Sequence, residues 1–341
     1  MDRRADQAKR RINFQLRLST TVILTGVLLI LACFIGLTEG GVPLSLHQIL
    51  WGLLDRGTPV IRTILWQLRI PRILLAFSVG GLLALSGTLL QVLLRNPLAD
   101  PYVLGVSGGA AVAALLSLLG GLPLYWVMGN AFMGSAAATL LLLVLTRLTG
   151  PITPIRLLLT GVVMASGFGA IVTLLLALSP DPTLHAMLFW LMGDLGYGPG
   201  SRLSLLALVL AVLLLWPFAG QLNVLLRGVD AAQSLGVHTG RVMIGLYLAA
   251  SLVTAIAVTD AGMIGFVGLI VPHMVRFAVG ADHRRLLPLA ALWGGSLLVL
   301  ADALARSLLA PRELPVGVLT AFLGVPLFLV LLARGNRTWT R

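Results

Sequence analysis

Ten long apolar runs, each bounded by charges, Gly or Pro, constrain this chain more than any other feature. They cover roughly residues 18–37, 73–94, 103–119, 124–145, 157–178, 203–219, 242–259, 263–279, 286–304 and 316–332. A helix needs about 20 consecutive apolar residues to cross a bilayer, with about 17 as the lower limit. Charged residues make up only 11% of the chain, against about 25% in a soluble domain. The pattern predicts an all-α polytopic membrane protein with about ten transmembrane helices. The third, sixth, eighth and tenth runs sit at that lower limit. Short runs carrying Pro272 and Pro326 suggest broken or partly inserted helices lining a cavity.

Ten crossings return the chain to its starting side, and basic residues decide which side that is. With the N-terminus inside, the cytoplasmic segments hold seventeen of the 24 basic residues. The external segments hold the other seven: Arg56, Arg62, Arg69, Arg72, Arg202, Arg306 and Arg312. Positive charge collects on the cytoplasmic side, so both termini are expected there. The expected organisation is a basic cytoplasmic N-terminus over 1–17, one transmembrane domain over 18–334, and a cytoplasmic C-terminus over 335–341. The first run has a basic flank but no small-residue cleavage site, and reads as an anchor rather than a signal peptide. Orientation accounts for the net charge of +12 without a nucleic-acid partner.

Two further counts exclude chemistry. Lys9 is the sole lysine, so no phosphate-binding loop ending in Lys-Ser or Lys-Thr exists, and ATP-driven work would need another polypeptide. Cys33 is the sole cysteine, which excludes disulfides and Cys-ligated metal sites. No His-Glu-x-x-His pair occurs, so a membrane metalloprotease is not indicated; Ser86 and Ser107, beside glycines, suit close helix packing. The alternative class is an ion-coupled secondary transporter. Such carriers generally place ionisable groups inside the membrane. Here Asp100, Asp230 and Asp282 fall at inner span ends, while Asp55, Asp181, Asp194, Asp260, Asp302 and Glu313 fall at outer ones.

Several segments between the runs are patterned. Residues 44–54 and 184–195 read as amphipathic helices on the outer face, the second with Trp190 at the interface. Residues 222–240 read as two short cytoplasmic helices punctuated by Gly228, Gly236 and Gly240. At the outer face, Arg69 and Arg72 flank Pro71 where the second run begins, and Arg306 lies four residues after Asp302. These arginines fit either snorkelling with an i,i+4 ion pair or a positive rim that receives a partner's carboxylates. The cytoplasmic stretch Arg95-Asn96-Pro97-Leu98-Ala99-Asp100-Pro101 fits either a plain turn or an inner gate.

At these residues the sequence resembles the permease subunits of type II ATP-binding-cassette (ABC) importers for iron chelates, haem and cobalamin. The resemblance rests on Arg69-Ile70-Pro71-Arg72, residues 85–91, residues 95–107, residues 231–236, residues 265–273, Asp282-His283-Arg284 and residues 313–317, in order along nearly the whole chain. It implies a homodimer of ten-helix subunits in a bacterial or archaeal plasma membrane. Two ABC ATPase subunits would lie below and a soluble substrate-binding protein outside. This chain would hold no cofactor, ATP and Mg belonging to the ATPase. The resemblance further implies that Arg69, Arg72 and Arg306 receive acids of the binding protein. Gly228, Asp230, Ala231, Ser234, Leu235 and Gly236 would belong to the ATPase-coupling helices, and Asn96 and Leu98 would lie by the inner gate. Relatives often carry two adjacent acids after the glycine, whereas Val229 precedes Asp230 here, which puts the strength of that contact in question. The fifth and tenth spans would line the path. Gly161, Ser166, Gly167 and Gly169 leave room in the fifth, although small residues also simply let helices touch. His273 belongs to a matching stretch, with a structural role at a kinked helix end as much as a substrate contact. The expected cargo is a metal chelate, ferric siderophore first, then cobalamin, then haem.

Overall fold

The computed structural model describes residues 2–196 and 201–335, with side chains over 19–196 and 202–330. The side chains of the basic stretch 1–17, those of the C-terminal stretch 335–341, and hence Arg337 and Arg341 of the charge count lie outside the described residues. Among the described residues every regular element is helical. Seven helices are long and apolar enough to cross a membrane: Ser19–Thr38, Pro59–Leu93, Leu124–Leu148, Pro154–Leu178, Arg202–Leu225, Thr239–Ala261 and His283–Ser307. Three shorter apolar helices, Val106–Leu119, Val267–Val279 and Val316–Val330, fall on the third, eighth and tenth runs.

In chain order the helices are α1 (Asp2–Thr38), α2 (Leu46–Leu53), α3 (Pro59–Thr63), α4 (Ile70–Leu93), α5 (Val106–Leu119), α6 (Leu124–Leu148), α7 (Pro154–Leu178) and α8 (Asp181–Met192). They continue with α9 (Ser201–Leu215), α10 (Ala219–Leu225), α11 (Val229–Ser234), α12 (Thr239–Ala261), α13 (Val267–Val279), α14 (His283–Ser307) and α15 (Val316–Gly335). The two amphipathic segments between runs form α2 and α8. A capping box starts α2: the Ser45 hydroxyl accepts the Gln48 N–H at 3.3 Å while the Gln48 side chain accepts the Ser45 N–H at 2.9 Å.

Three expectations need correction. The sixth run is not short, because α9 continues through a 3₁₀ turn at Trp216–Phe218 into α10, and Pro217 sits at the start of that turn where its missing N–H is not needed. Only α11 therefore stands as a free short helix within 222–240. The second span starts at Pro59 rather than at Pro71: α3 leads through a π-helical segment, Ile64–Arg69, directly into α4. A wider turn just before Pro71 accommodates a residue that a regular helix interior rejects. Finally, Pro272 and Pro326 lie inside α13 and α15, and the break falls at residues 262–266, where Gly262 (φ 67°) and Phe266 (φ 69°) adopt positive φ.

The centre of the bundle is α4, which packs against α9, α12, α13 and α14 and is buried almost throughout. Lipid offers helices little hydrophobic reason to associate, so close approach and polar contacts must hold them. Both occur along α4. It runs antiparallel to α14, and the two meet at Gly80 and Gly294, where a Cβ on either residue would run into the other's carbonyl oxygen. Gly87 meets the Gly268 carbonyl of α13 in the same way. Ser86 adds a polar tie to α12, with its Oγ 2.6 Å from Thr254 Oγ1 and 3.0 Å from the Ala250 carbonyl oxygen. By contrast, α7 and α9 turn large side chains such as Val163, Leu203 and Leu214 outward.

Candidate functional site

The antiparallel pairing of α4 and α14 gives the bundle two ends, and the expected site residues collect at both. At one end are Arg69 and Arg72, three apart on one helical face, opposite Asp302 and Arg306, four apart on α14. The three arginines share one cluster, but not as an open rim. Arg69 is 5% exposed and donates to the carbonyl oxygens of Leu37 and Val42. Arg306 is 6% exposed; its Nε donates to Asp302 Oδ2 at 2.9 Å and its terminal nitrogens donate to the carbonyls of Glu39 and Gly36 at 3.2 and 3.4 Å. Both guanidinium groups thus hold the 36–42 segment down over themselves. Gly40 lies over the Arg306 guanidinium with φ 152°, a conformation that favours glycine.

Arg72 is placed differently. Its Nε donates to Asp302 Oδ1 and its NH1 to Glu313 Oε2, both at 2.9 Å. Asp302, 1% exposed, gives one oxygen to each of two arginines, whereas the Glu313 side chain is 50% exposed. The i,i+4 pair expected between Asp302 and Arg306 is therefore present. The sequence reading missed that Arg72 joins it across the helix pair, and it gave Glu313 no role. Gln67, Arg69, Arg72, Arg306 and Glu313 together border an open cleft of about 360 Å³.

At the other end, α4 closes with a turn in which Arg95 adopts φ 48° and the Asn96 side-chain oxygen accepts the Leu98 N–H at 2.9 Å. Leu98 is exposed and Asn96 half-buried. The Arg95 guanidinium reaches to Gly228, so the turn and the 222–240 segment occupy the same end. Gly228 (φ 123°) and Gly236 (φ 80°) supply the positive φ that lets the backbone reverse into and out of α11. Between them Asp230, Ser234, Leu235 and Gly236 are exposed and Ala231 is half-buried. Val229 is also half-buried, which leaves Asp230 as the acid that α11 displays. Asn223 anchors the segment to α14: its Nδ2 donates to Asp282 Oδ1 at 2.8 Å, and its Oδ1 accepts the His283 N–H at 2.9 Å. Partial burial acts to raise the Asp282 carboxyl. Hydrogen bonds from Asn223 and the Arg284 N–H, with the Arg284 and Arg285 charges, outweigh it and hold the group below the usual range.

Asp100 does not stay at the Arg95 end of the bundle. Pro101 packs on Gly268, which in turn meets the Leu83 carbonyl of α4, so the chain turns back about 10–15 Å along α4 before α5 begins. There Asp100 accepts the Tyr102 N–H at 2.9 Å and caps a 3₁₀ turn, Pro101–Leu104. The Tyr102 hydroxyl then pins the 262–266 break, accepting the Ile264 N–H at 2.7 Å and donating to the Ile264 carbonyl at 2.8 Å. Two chain discontinuities thus satisfy each other's polar groups inside the bundle, as irregular backbone at that depth requires. A phenol within 95–107 was the available signal, and nothing in its spacing pointed to residue 264.

Other residues resolve more simply. Gly161 packs on Leu104, whereas Gly167 and Gly169 face open space and Ser166 is exposed, so the small residues of α7 divide between packing and an open face. The His273 ring stacks edge-on against Phe277 at 4.8 Å and makes no hydrogen bond among the described residues. Gln91 of α4 donates to the Leu269 carbonyl at 3.2 Å and accepts from Arg276 at 3.0 Å, which ties α4 to α13.

These features define a polytopic α-helical membrane protein with a polar cluster at each end. The chain belongs to the FecCD transport family, whose model matches residues 28–334. It is 42% identical over 324 residues to the haemin transport system permease HmuU of Yersinia pestis, covering 92% of this chain and 96% of that protein. The vitamin B12 import system permease BtuC of Vibrio cholerae is 43% identical over 279 residues, covering 80% and 83% of the two chains. A solved ABC transporter of metal-chelate type in an inward-facing conformation matches with TM-score 0.84 at 33% identity, over 93% of this chain and 99% of that one. PsaBC of Streptococcus pneumoniae, at 18% identity and TM-score 0.58 over 80% of this chain and 93% of that one, shares the fold alone.

Proposed function

We propose that this chain is the membrane permease of an ABC importer that carries a metal chelate, in the order ferric siderophore, cobalamin, haem. The working unit is a homodimer of ten-span subunits with both termini cytoplasmic, in a bacterial or archaeal plasma membrane. Two copies of an ATPase subunit bind ATP and Mg, and a soluble binding protein delivers the chelate at the Arg69, Arg72 and Arg306 end. ATP binding and hydrolysis move α11, and the two permease subunits rock to open the path inward or outward past Asn96 and Leu98.

The observation that carries this reading is the exposed α11, set between two positive-φ glycines and displaying one acid. Ala232 docks α11 on the bundle, while its other face, with Asp230, Ser234 and the following Leu235, is exposed; an exposed leucine beside one acid suits a covering partner whose cationic groups complement Asp230. Asp230→Arg is expected to reduce retention of the ATPase subunit during purification by tenfold or more, about 1.4 kcal/mol. Retention equal to wild type would remove α11 from the interface. The cargo is identified separately, by mass spectrometry of the ligand that copurifies with the binding protein.

A further inference from the structure

Glu313 stands where an incoming carboxylate would have to be. Arg69 and Arg306 spend their terminal nitrogens on carbonyl oxygens of the 36–42 segment, so neither offers a free fork to a docking partner. Arg72 alone has a terminal nitrogen committed to a group that can leave: the half-exposed Glu313. Asp302 cannot leave in the same way, because it is 1% exposed and shared with Arg306. Removing it from its partners would strand two cations away from water. An exposed ion pair is worth only about 0.2–1 kcal/mol, so exchanging Glu313 for another carboxylate costs little.

We propose that Glu313 is an internal placeholder for the binding protein's acid, and that docking proceeds by carboxylate exchange on Arg72. The proposal rests on the docking role of this arginine cluster. It also gives the exchange a consequence inside the chain. Glu313 lies on the connection between α14 and α15, three residues before Val316, which is buried at the start of α15. While Glu313 is paired, that connection is tied to α4. Once a partner's carboxylate replaces it, the tie between α4 and the entry to α15 is released. The partner that fits is a protein presenting a carboxylate narrow enough to reach into the cleft between Gln67 and Glu313.

The test uses the complete permease–ATPase complex in nanodiscs and the soluble binding protein of the same transport system. Glu313→Gln keeps the side chain's size and removes its charge, and it is expected to tighten docking about 1.4- to fivefold, the range set by an exposed ion pair. A spin label at Leu309→Cys, in a Cys33→Ser background, reports the connection. Glu313→Gln without partner should show the mobility that the otherwise unaltered labelled complex reaches only after the binding protein is added. Unchanged or weaker docking by Glu313→Gln overturns the placeholder, as does a label that moves no more in Glu313→Gln than in that parent. Arg72→Gln separates the two claims. If it abolishes docking while Glu313→Gln changes nothing, the placeholder fails and the docking site stands; if Arg72→Gln docks normally, both fail.

Discussion

One carboxylate holds the Arg69 end together. Asp302 serves Arg72 through one oxygen and Arg306 through the other, at 2.9 Å each, with almost no access to water. Breaking a buried ion pair from one side leaves uncompensated charge, which costs about 3–5 kcal/mol. Asp302→Ala is therefore expected to lower the stability of the detergent-solubilised protein by about 3 kcal/mol, read as an earlier unfolding transition. The Asp55–Arg62 pair is a control on the same face: at 2.5 Å it is shorter, yet its side chains are 70% and 48% exposed. Asp55→Ala should leave the transition where it was, because water already solvates both groups. If both variants behaved alike, burial would not be what gives Asp302 its weight. The arginines themselves were legible as a group in the sequence, since Pro71 and the i,i+4 spacing of Asp302 and Arg306 single them out. Their burial was not, because it depends on a loop 30 residues upstream whose carbonyls carry no sequence signal.

Among the helices, position along the chain was easy to read and ends were hard. Each of the ten apolar runs carries an apolar helix, because an uncharged stretch within lipid satisfies its backbone N–H and C=O groups by forming a helix. The start of the second span was misread because Arg62, Arg69 and Arg72 look like a boundary, yet they ride on one continuous helix, with Arg62 exposed and Arg69 and Arg72 largely covered by other protein. The turn back at Asp100 was hidden for the opposite reason: residues 101–119 contain no charge to mark where the extended chain becomes helix.

Two predictions belong to these elements. Gly87→Ala places a methyl group against the Gly268 carbonyl of α13 and should cost about 1–3 kcal/mol through forced separation of α4 and α13. Gly26→Ala, where a Cβ meets nothing within 4 Å, should be silent in the same thermal unfolding assay. Equal effects would mean that close packing along α4 is not limiting. Tyr102→Phe removes both hydrogen bonds to Ile264 and leaves a buried N–H and C=O unpaired, about 1–3 kcal/mol for each group. Hydrogen exchange over residues 262–266 should rise in that variant, and protection as in wild type would show that the break is held by something other than the phenol.

For the whole molecule, the two polar ends carry different burdens, and the arginine distribution says which faces the cytoplasm. The Arg95 end collects Arg95, Arg227, Arg276, Arg284 and Arg285 from four separate stretches of chain, against the two acids Asp230 and Asp282 of the same end. The Arg69 end instead sets Asp302 and Glu313 against Arg72 and Arg306. Arginines flanking spans are retained on the cytoplasmic side, so the more arginine-rich Arg95 end and α11 should face inward and the Arg69 end outward. Val60 and Leu235 suit a direct test, being 68% and 65% exposed at the two ends. In a Cys33→Ser background, Val60→Cys should react with a membrane-impermeant maleimide in intact cells. Leu235→Cys should react only after the membrane is opened. The reverse pattern would invert the molecule and place α11 outside, where no ATPase could reach it; that single result would undo both the coupling role of α11 and the docking role of Arg72.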